Sequence, residues 1–171
     1  MPVPAPRLLQ LLDLLAADGV QVWLDGGWGV DALLGAQHRE HDDVDLVVRR
    51  SDLDRLRQAL LPYGFAVAED HLPTRLVLRT EAGEQVDLHP VVFDAQGDGW
   101  QAGAAADGSD CRYPADGFTT GQVDGRVVPC LGPRVQLEHH SGYSPRPHDV
   151  QDVLRLTERY GLALPPEYRT G

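Results

Sequence analysis

The sequence predicts an α+β fold, a mixed β-sheet flanked by helices, and three observations carry that prediction. Leucines at 8, 9, 11, 12, 14 and 15 recur at helical spacing. Val44, Leu46 and Val48 alternate with Asp43, Asp45 and Val47, the period-two pattern of a strand. Short β-rich runs then follow one another between residues 65 and 92, with a turn sequence between the last two.

Taken in order, the first helix covers about residues 6–18 and is ended by Gly19. Val20 to Leu24 reads as a short buried strand. Gly26-Gly27 punctuates, and Trp28 to Leu34 reads as a second helix with Gly35 at its C-terminal end. After the strand at 43–48, Ser51 is an expected N-cap, with Asp52 and Asp54 in the first turn and leucines at 53, 56 and 60 behind it. That helix stops near Pro62. Phe65 to Val67, Arg75 to Arg79 and Gln85 to Val92 are the expected strands, the last two joined at Glu81-Ala82-Gly83-Glu84. Residues 94–117, rich in Gly, Ala and Asp, read as a long loop, a feature that in compact domains tends to be functional. Gly121 to Leu131 returns to strand character, 133–140 reads as a short helix, and Val150 to Tyr160 as an amphipathic final helix ended by Gly161.

The chain has 171 residues with no composition shift and no repeat, so residues 1–171 read as one domain. Its core spans about residues 6–94, completed by the C-terminal strand and helices at about 118–165. The formal net charge is −11. A duplex nucleic acid needs a basic face, so nucleic acid is not the expected partner. An acidic cleft concentrates cations, which points to a cationic small molecule. All fifteen basic residues are Arg, so a phosphate can be met only by Arg or backbone N–H groups. Cys111 and Cys130 fit no metal-ligand spacing and suit reduced thiols in the cytoplasm. No apolar run is long enough to span a bilayer.

The chemistry concentrates at Asp25-Gly26-Gly27-Trp28 and His41-Asp42-Asp43-Val44-Asp45. Asp43 and Asp45 are two apart on a strand, so both carboxylates leave one face while Val44 and Leu46 turn to the core. Like charges held side by side repel, and a divalent cation between them resolves the conflict. Mg²⁺ is hard and takes one or two carboxylates together with substrate phosphate oxygens. Gly26 and Gly27, between a strand and a helix, permit close backbone approach to an anion. In Val86-Asp87-Leu88-His89, Asp87 and His89 share a face. If that strand lies beside the Asp43–Asp45 strand, Asp87 completes a carboxylate triad or serves as a general base.

The run Trp23 to Gly35 followed by Arg39-Glu40-His41-Asp42-Asp43-Val44-Asp45 resembles the small antibiotic nucleotidyltransferases, the lincosamide nucleotidyltransferase and aminoglycoside 2″-adenylyltransferase group. The Val86–His89 segment, His140-Ser141-Gly142-Tyr143 and Asp149-Val150-Gln151-Asp152 are similar to that group as well. The resemblance implies a DNA-polymerase-β-like core, Mg²⁺-dependent use of ATP or another NTP, and transfer of NMP to an acceptor hydroxyl. By motif position, Asp43 and Asp45 are the implied metal ligands and Asp87 the base or third ligand. Trp28 stands where many members of the wider superfamily carry Ser, which removes a hydroxyl from the phosphate turn.

Other residues carry paired readings. Arg39 is a phosphate contact or a solvated loop residue. His41 is a buried structural residue or helps position a phosphate. Asp31 has a surface or capping role or belongs to the active site, and Asp42 is structural. Trp28 packs in the core or stacks on a nucleobase, and His89 either reaches the site or does not. Tyr143 lines the acceptor site or packs. Asp149 and Asp152 share a solvated helix face or bind an acceptor amine. His139 and His140 diverge too far to form a metal pair. Rival functions are an antitoxin-type nucleotidyltransferase acting on or binding a partner protein, and a metabolite-modifying enzyme. A homodimer that shares its cleft would compensate for the short chain.

Overall fold

A computed structural model describes residues 2–105, 107–141 and 144–169. Helix α1 spans Ala5–Ala17 and strand β1 Val22–Asp25. Helix α2 spans Gly26–Leu34, starting two residues earlier than the sequence suggests. The reason is Asp25, which takes the N-cap position and accepts a hydrogen bond from the Gly26 N–H at 2.8 Å. The glycines therefore form the first turn of α2 instead of a linker before it. Gly35 ends the helix in the left-handed conformation, as expected.

Strand β2 (Asp43–Arg49) leads through a 3₁₀ turn at Arg50–Asp52 into α3 (Leu53–Leu60). Ser51 lies inside that turn, and the N-cap of α3 is Asp52, with no side-chain cap bond. Strands β3 (Ala66–His71), β4 (Arg75–Arg79) and β5 (Gln85–Phe93) follow. The expected long loop contains two three-residue strands, β6 (Gly99–Gln101) and β7 (Cys111–Tyr113). The run 121–131 is a hairpin of β8 (Phe118–Val123) and β9 (Arg126–Leu131). Its turn is Asp124-Gly125, both at positive φ. Helices α4 (Pro133–His139) and α5 (Pro147–Tyr160) complete the chain.

Among the described residues the sheet has nine strands. Its main path runs β3-β4-β5-β2-β1-β9-β8, with β6 and β7 attached beyond β5. It is mixed, because β2 pairs parallel with β5 and antiparallel with β1, and β1 pairs parallel with β9. The two faces carry different loads. Val44, Leu46, Val48, Leu76, Leu78, Val86 and Leu88 join α1, α2 and α3 in the main core, around Leu8, Leu15, Trp28, Leu56 and Leu60. Burying one such leucine stabilises the fold by about 2 kcal/mol. On the opposite face a smaller cluster of Trp23, Val47, Val91, Tyr113, Leu131 and Val135 packs beneath β7 and α4. This second cluster covers only part of its face, and the rest of that face carries the carboxylates.

Candidate functional site

Register, more than sequence spacing, assembles the site. Asp25 on β1 stands opposite Asp45 on β2, and Asp45 stands opposite Asp87 on β5. Residues in register on neighbouring strands share a face. Three aspartates from three strands therefore form one row, with Asp43 one step along β2. They line a cleft of about 1050 Å³ together with Gly26, Gly27, Arg39, Arg75, His89, Gln101, Tyr113 and His139.

Each carboxylate is held differently. Asp25 is buried and accepts from His139 Nδ1 at 2.9 Å. Burial alone would favour neutral forms of both groups, but their mutual attraction outweighs it. Asp25 is held far below the usual carboxylate range, and His139 is pushed up to about 10. Asp87 is nearly buried and is gripped by Arg75. Nε lies 2.9 and 2.8 Å from its two oxygens, and Nη2 lies 2.6 Å from Oδ2. Asp45 is part-exposed, and His89 Nε2 lies 3.4 Å from its Oδ1. His89 Nδ1 in turn faces the Gln101 amide at 3.3 Å, whose oxygen accepts from the Tyr113 hydroxyl at 2.6 Å. Burial works against charge on His89, yet the hydrogen bond to Asp45 and the surrounding carboxylates raise its pKa.

Asp43 is the frustrated member. Burial, followed by repulsion from Asp45, Asp87 and Asp42, pushes its pKa up to about 6. Donor atoms of Asp45, Asp87 and His89 all lie within 4.8 Å of one another, a set able to grip a metal ion. Asp43 stands outside that group of three and lines the same cleft one step along β2.

The Asp43 shift has a measurable consequence. Between about 3.8 and about 6 the folded state binds more protons at Asp43 than the unfolded chain does, so stability falls as pH rises through that window. Asp43→Asn is therefore expected to raise the Tm of the metal-free protein at pH 7. With solvent screening discounted, the gain is about 1 kcal/mol, or about 3 °C. Thermal melts of both proteins in EDTA should show that gap close by about pH 4.

The glycine turn sits directly against these groups. Gly26 has φ +55°, and a Cβ there would lie 2.3 Å from Asp45 Oδ2. A Cβ on Gly27 would lie 2.3 Å from Arg39 Nη2 and 2.4 Å from His41 Nδ1. Backbone, carboxylate and guanidinium thus meet with no room for a side chain between them. Arg39 lines the cleft and is no solvated loop residue. His41 is buried and donates Nε2–H to Asp31 at 2.6 Å. Asp31 is buried as well, bonded to the His38 ring and accepting the His38 backbone N–H at 3.2 Å, so it does not lie on the surface. Trp28 packs in the core against the His41 ring, which leaves it unable to stack on a base. Asp42 is exposed, at the mouth of the cleft.

Asp149 and Asp152 do not form a solvated face. Both are 1% exposed, and each is bonded to arginine, Asp149 to Arg146 and Asp152 to Arg39. His140 is buried and its Nδ1 donates to the Gln136 carbonyl at 2.7 Å, whereas His139 bonds Asp25, so the two rings border the cleft with different partners and form no pair. Tyr143 lies outside the described residues. Sequence reasoning misses Asp25, Arg75, Gln101, Tyr113 and His139 as cleft residues. The legible hint was Asp25 itself, a carboxylate at the end of a strand and immediately before a glycine turn.

A mixed sheet that presents in-register aspartates beside a glycine turn at a helix start is an arrangement suited to nucleotidyl transfer. Comparison with known proteins makes the class specific. The aminoglycoside-2''-adenylyltransferase family matches residues 7–156, and the chain belongs to that family. It is 33% identical over 154 residues to a lincosamide resistance protein of Staphylococcus haemolyticus, covering 90% of this chain and 94% of the relative. It is 41% identical over 162 residues to a 2''-aminoglycoside nucleotidyltransferase of Escherichia coli, covering 88% and 81%. The crystal structure of the lincosamide antibiotic adenylyltransferase LnuA with lincomycin bound superimposes with a TM-score of 0.81 at 32% identity, over 92% of this chain and 98% of that one. The protein is an enzyme of the nucleotidyltransferase class, with the mixed α+β architecture expected from its sequence. None of its helices is long and apolar enough to cross a membrane among the described residues.

Proposed function

We propose that this enzyme transfers a nucleoside monophosphate, AMP from ATP, to a hydroxyl of a cationic antibiotic of the aminoglycoside or lincosamide class. The observation that carries the proposal is the in-register pair Asp45–Asp87 set against the Gly26–Gly27 turn. Asp45 and Asp87, with His89 beside them and Asp43 one step along the strand, would hold Mg²⁺. The crowding that keeps the Asp43 pKa high is what a cation relieves. When bound, the ion supplies charge neutralisation for the phosphates and for the leaving pyrophosphate.

The chain's own groups do the rest. The backbone at Gly26 and Gly27, with the Arg39 guanidinium above it, holds the β- and γ-phosphates. The acceptor hydroxyl attacks the α-phosphorus in line, its proton passes to Asp87, and pyrophosphate leaves. Exposed Glu40, Asp42 and Glu138 at the cleft mouth attract the amines of the acceptor. The relatives' printed names and the net charge of −11 support an acceptor of this kind.

The test is mass spectrometry of aminoglycoside and lincosamide pools incubated with the enzyme, Mg²⁺ and mixed NTPs. The expected result is one drug whose mass rises by a single NMP, a product lost in EDTA. Unchanged drugs in the presence of Mg²⁺-dependent NTP binding would overturn the antibiotic reading and turn the search to metabolites and partner proteins.

A further inference from the structure

We infer that Asp152 of α5 is a positioning residue for the nucleotide, acting through Arg39. The inference rests on the reading above that Arg39 meets the phosphates, and it adds the group that decides where Arg39 stands.

Arginine is a long, flexible side chain, and fixing it beside the Gly26–Gly27 turn is entropically unfavourable. Two anchors oppose that. Nη1 donates to the Glu40 carbonyl at 3.1 Å. Nε and Nη2 both donate to Asp152 Oδ2, at 3.2 and 2.9 Å. Asp152 comes from a helix more than a hundred residues away in sequence, and its side chain is 1% exposed. The same Nη2 stands where a Gly27 side chain would be. The guanidinium is therefore clamped against the glycine turn at the wall of the cleft.

A purely structural account would make Asp152 the counter-ion of Arg155, one turn further along α5. That pair is looser. Arg155 Nη1 lies 3.9 Å from Asp152 Oδ1 and, among the described residues, has no hydrogen-bond partner. Among the described residues, Arg39 supplies both of the hydrogen bonds that Asp152 accepts from side chains. A buried carboxylate with one well-made partner fixes that partner's place. The preceding turn of α5 lines the cleft through Arg146, His148 and Asp149, so one helix borders the acceptor space and sets the arginine at the phosphate turn.

The experiment is a double-mutant cycle on the full chain with Arg39→Gln, Asp152→Asn and the pair together. The double variant removes the Arg39 and Asp152 charges together, and the lost contact to Arg155 is common to Asp152→Asn in both backgrounds, so the cycle stays readable if Asp152→Asn is destabilised. Steady-state kinetics with ATP and the accepted antibiotic read KM for each substrate and kcat. Asp152→Asn is expected to raise the ATP KM about tenfold, with acceptor KM and kcat unchanged within about twofold. In the Arg39→Gln background the same substitution is expected to add nothing. An equal rise in that background, or an unchanged ATP KM in Asp152→Asn while Arg39→Gln raises it, overturns the positioning role alone. An unchanged ATP KM in Arg39→Gln overturns the phosphate reading of Arg39, and the inference with it.

Discussion

Asp45→Asn is expected to lower turnover by about 10³-fold or more while leaving the folded protein at least as stable in the absence of metal. Asp45 stands in register between Asp25 and Asp87, and its carboxylate touches the turn at Gly26. It is part-exposed, and its only side-chain partner among the described residues is His89 at 3.4 Å. Little of the fold depends on its charge, and the row of aspartates repels it. Asparagine keeps the shape, removes the repulsion and removes a hard anionic donor. Stability and activity should therefore move in opposite directions, which a general packing defect cannot produce. Circular dichroism melts and turnover at saturating Mg²⁺ check both halves. Retained activity would show that Asp45 does not hold the metal.

Local pattern and long-range register contribute different parts of this site. The period-two pattern at 43–48 is local, so the burial of Val44 and Leu46 and the shared face of Asp43 and Asp45 follow from the strand alone. Asp87 needed one further assumption, that its strand lies beside the first, and the parallel β2–β5 pairing supplies it. Asp25 joins the row only through the antiparallel register of β1 on β2, which no local pattern encodes. Three-residue strands such as β6 and β7 are too short for a period to be seen, so Gln101 and Tyr113 read as loop. Asp124-Gly125 is a recognised two-residue hairpin signal, and the β-branched residues on either side obscure it when 121–131 is read as one strand. Asp149 and Asp152 show the opposite failure. Acidic residues three apart on an amphipathic helix look solvated, because the arginine that buries Asp152 belongs to a distant segment.

Asp87→Asn is expected to lower kcat by about 10²- to 10⁴-fold with the ATP KM changed by less than about threefold. Asp87 is the most tightly held carboxylate of the cleft, with three contacts from Arg75, which also pairs with Glu69. That grip has two effects. It keeps the carboxylate aimed at the space beside Asp45, and it occupies lone pairs that a second metal bond would need. A lone pair that Arg75 leaves free can take either the acceptor's proton or a single bond to the ion. The glycine turn and Arg39, which bear on the nucleotide, are untouched by the substitution, hence the small change in ATP KM. Raising Mg²⁺ separates the two roles. If Asp87 takes the acceptor's proton, excess Mg²⁺ leaves the variant inactive. If its main part is to hold the ion, excess Mg²⁺ restores much of the lost rate, and the proton then leaves by another route.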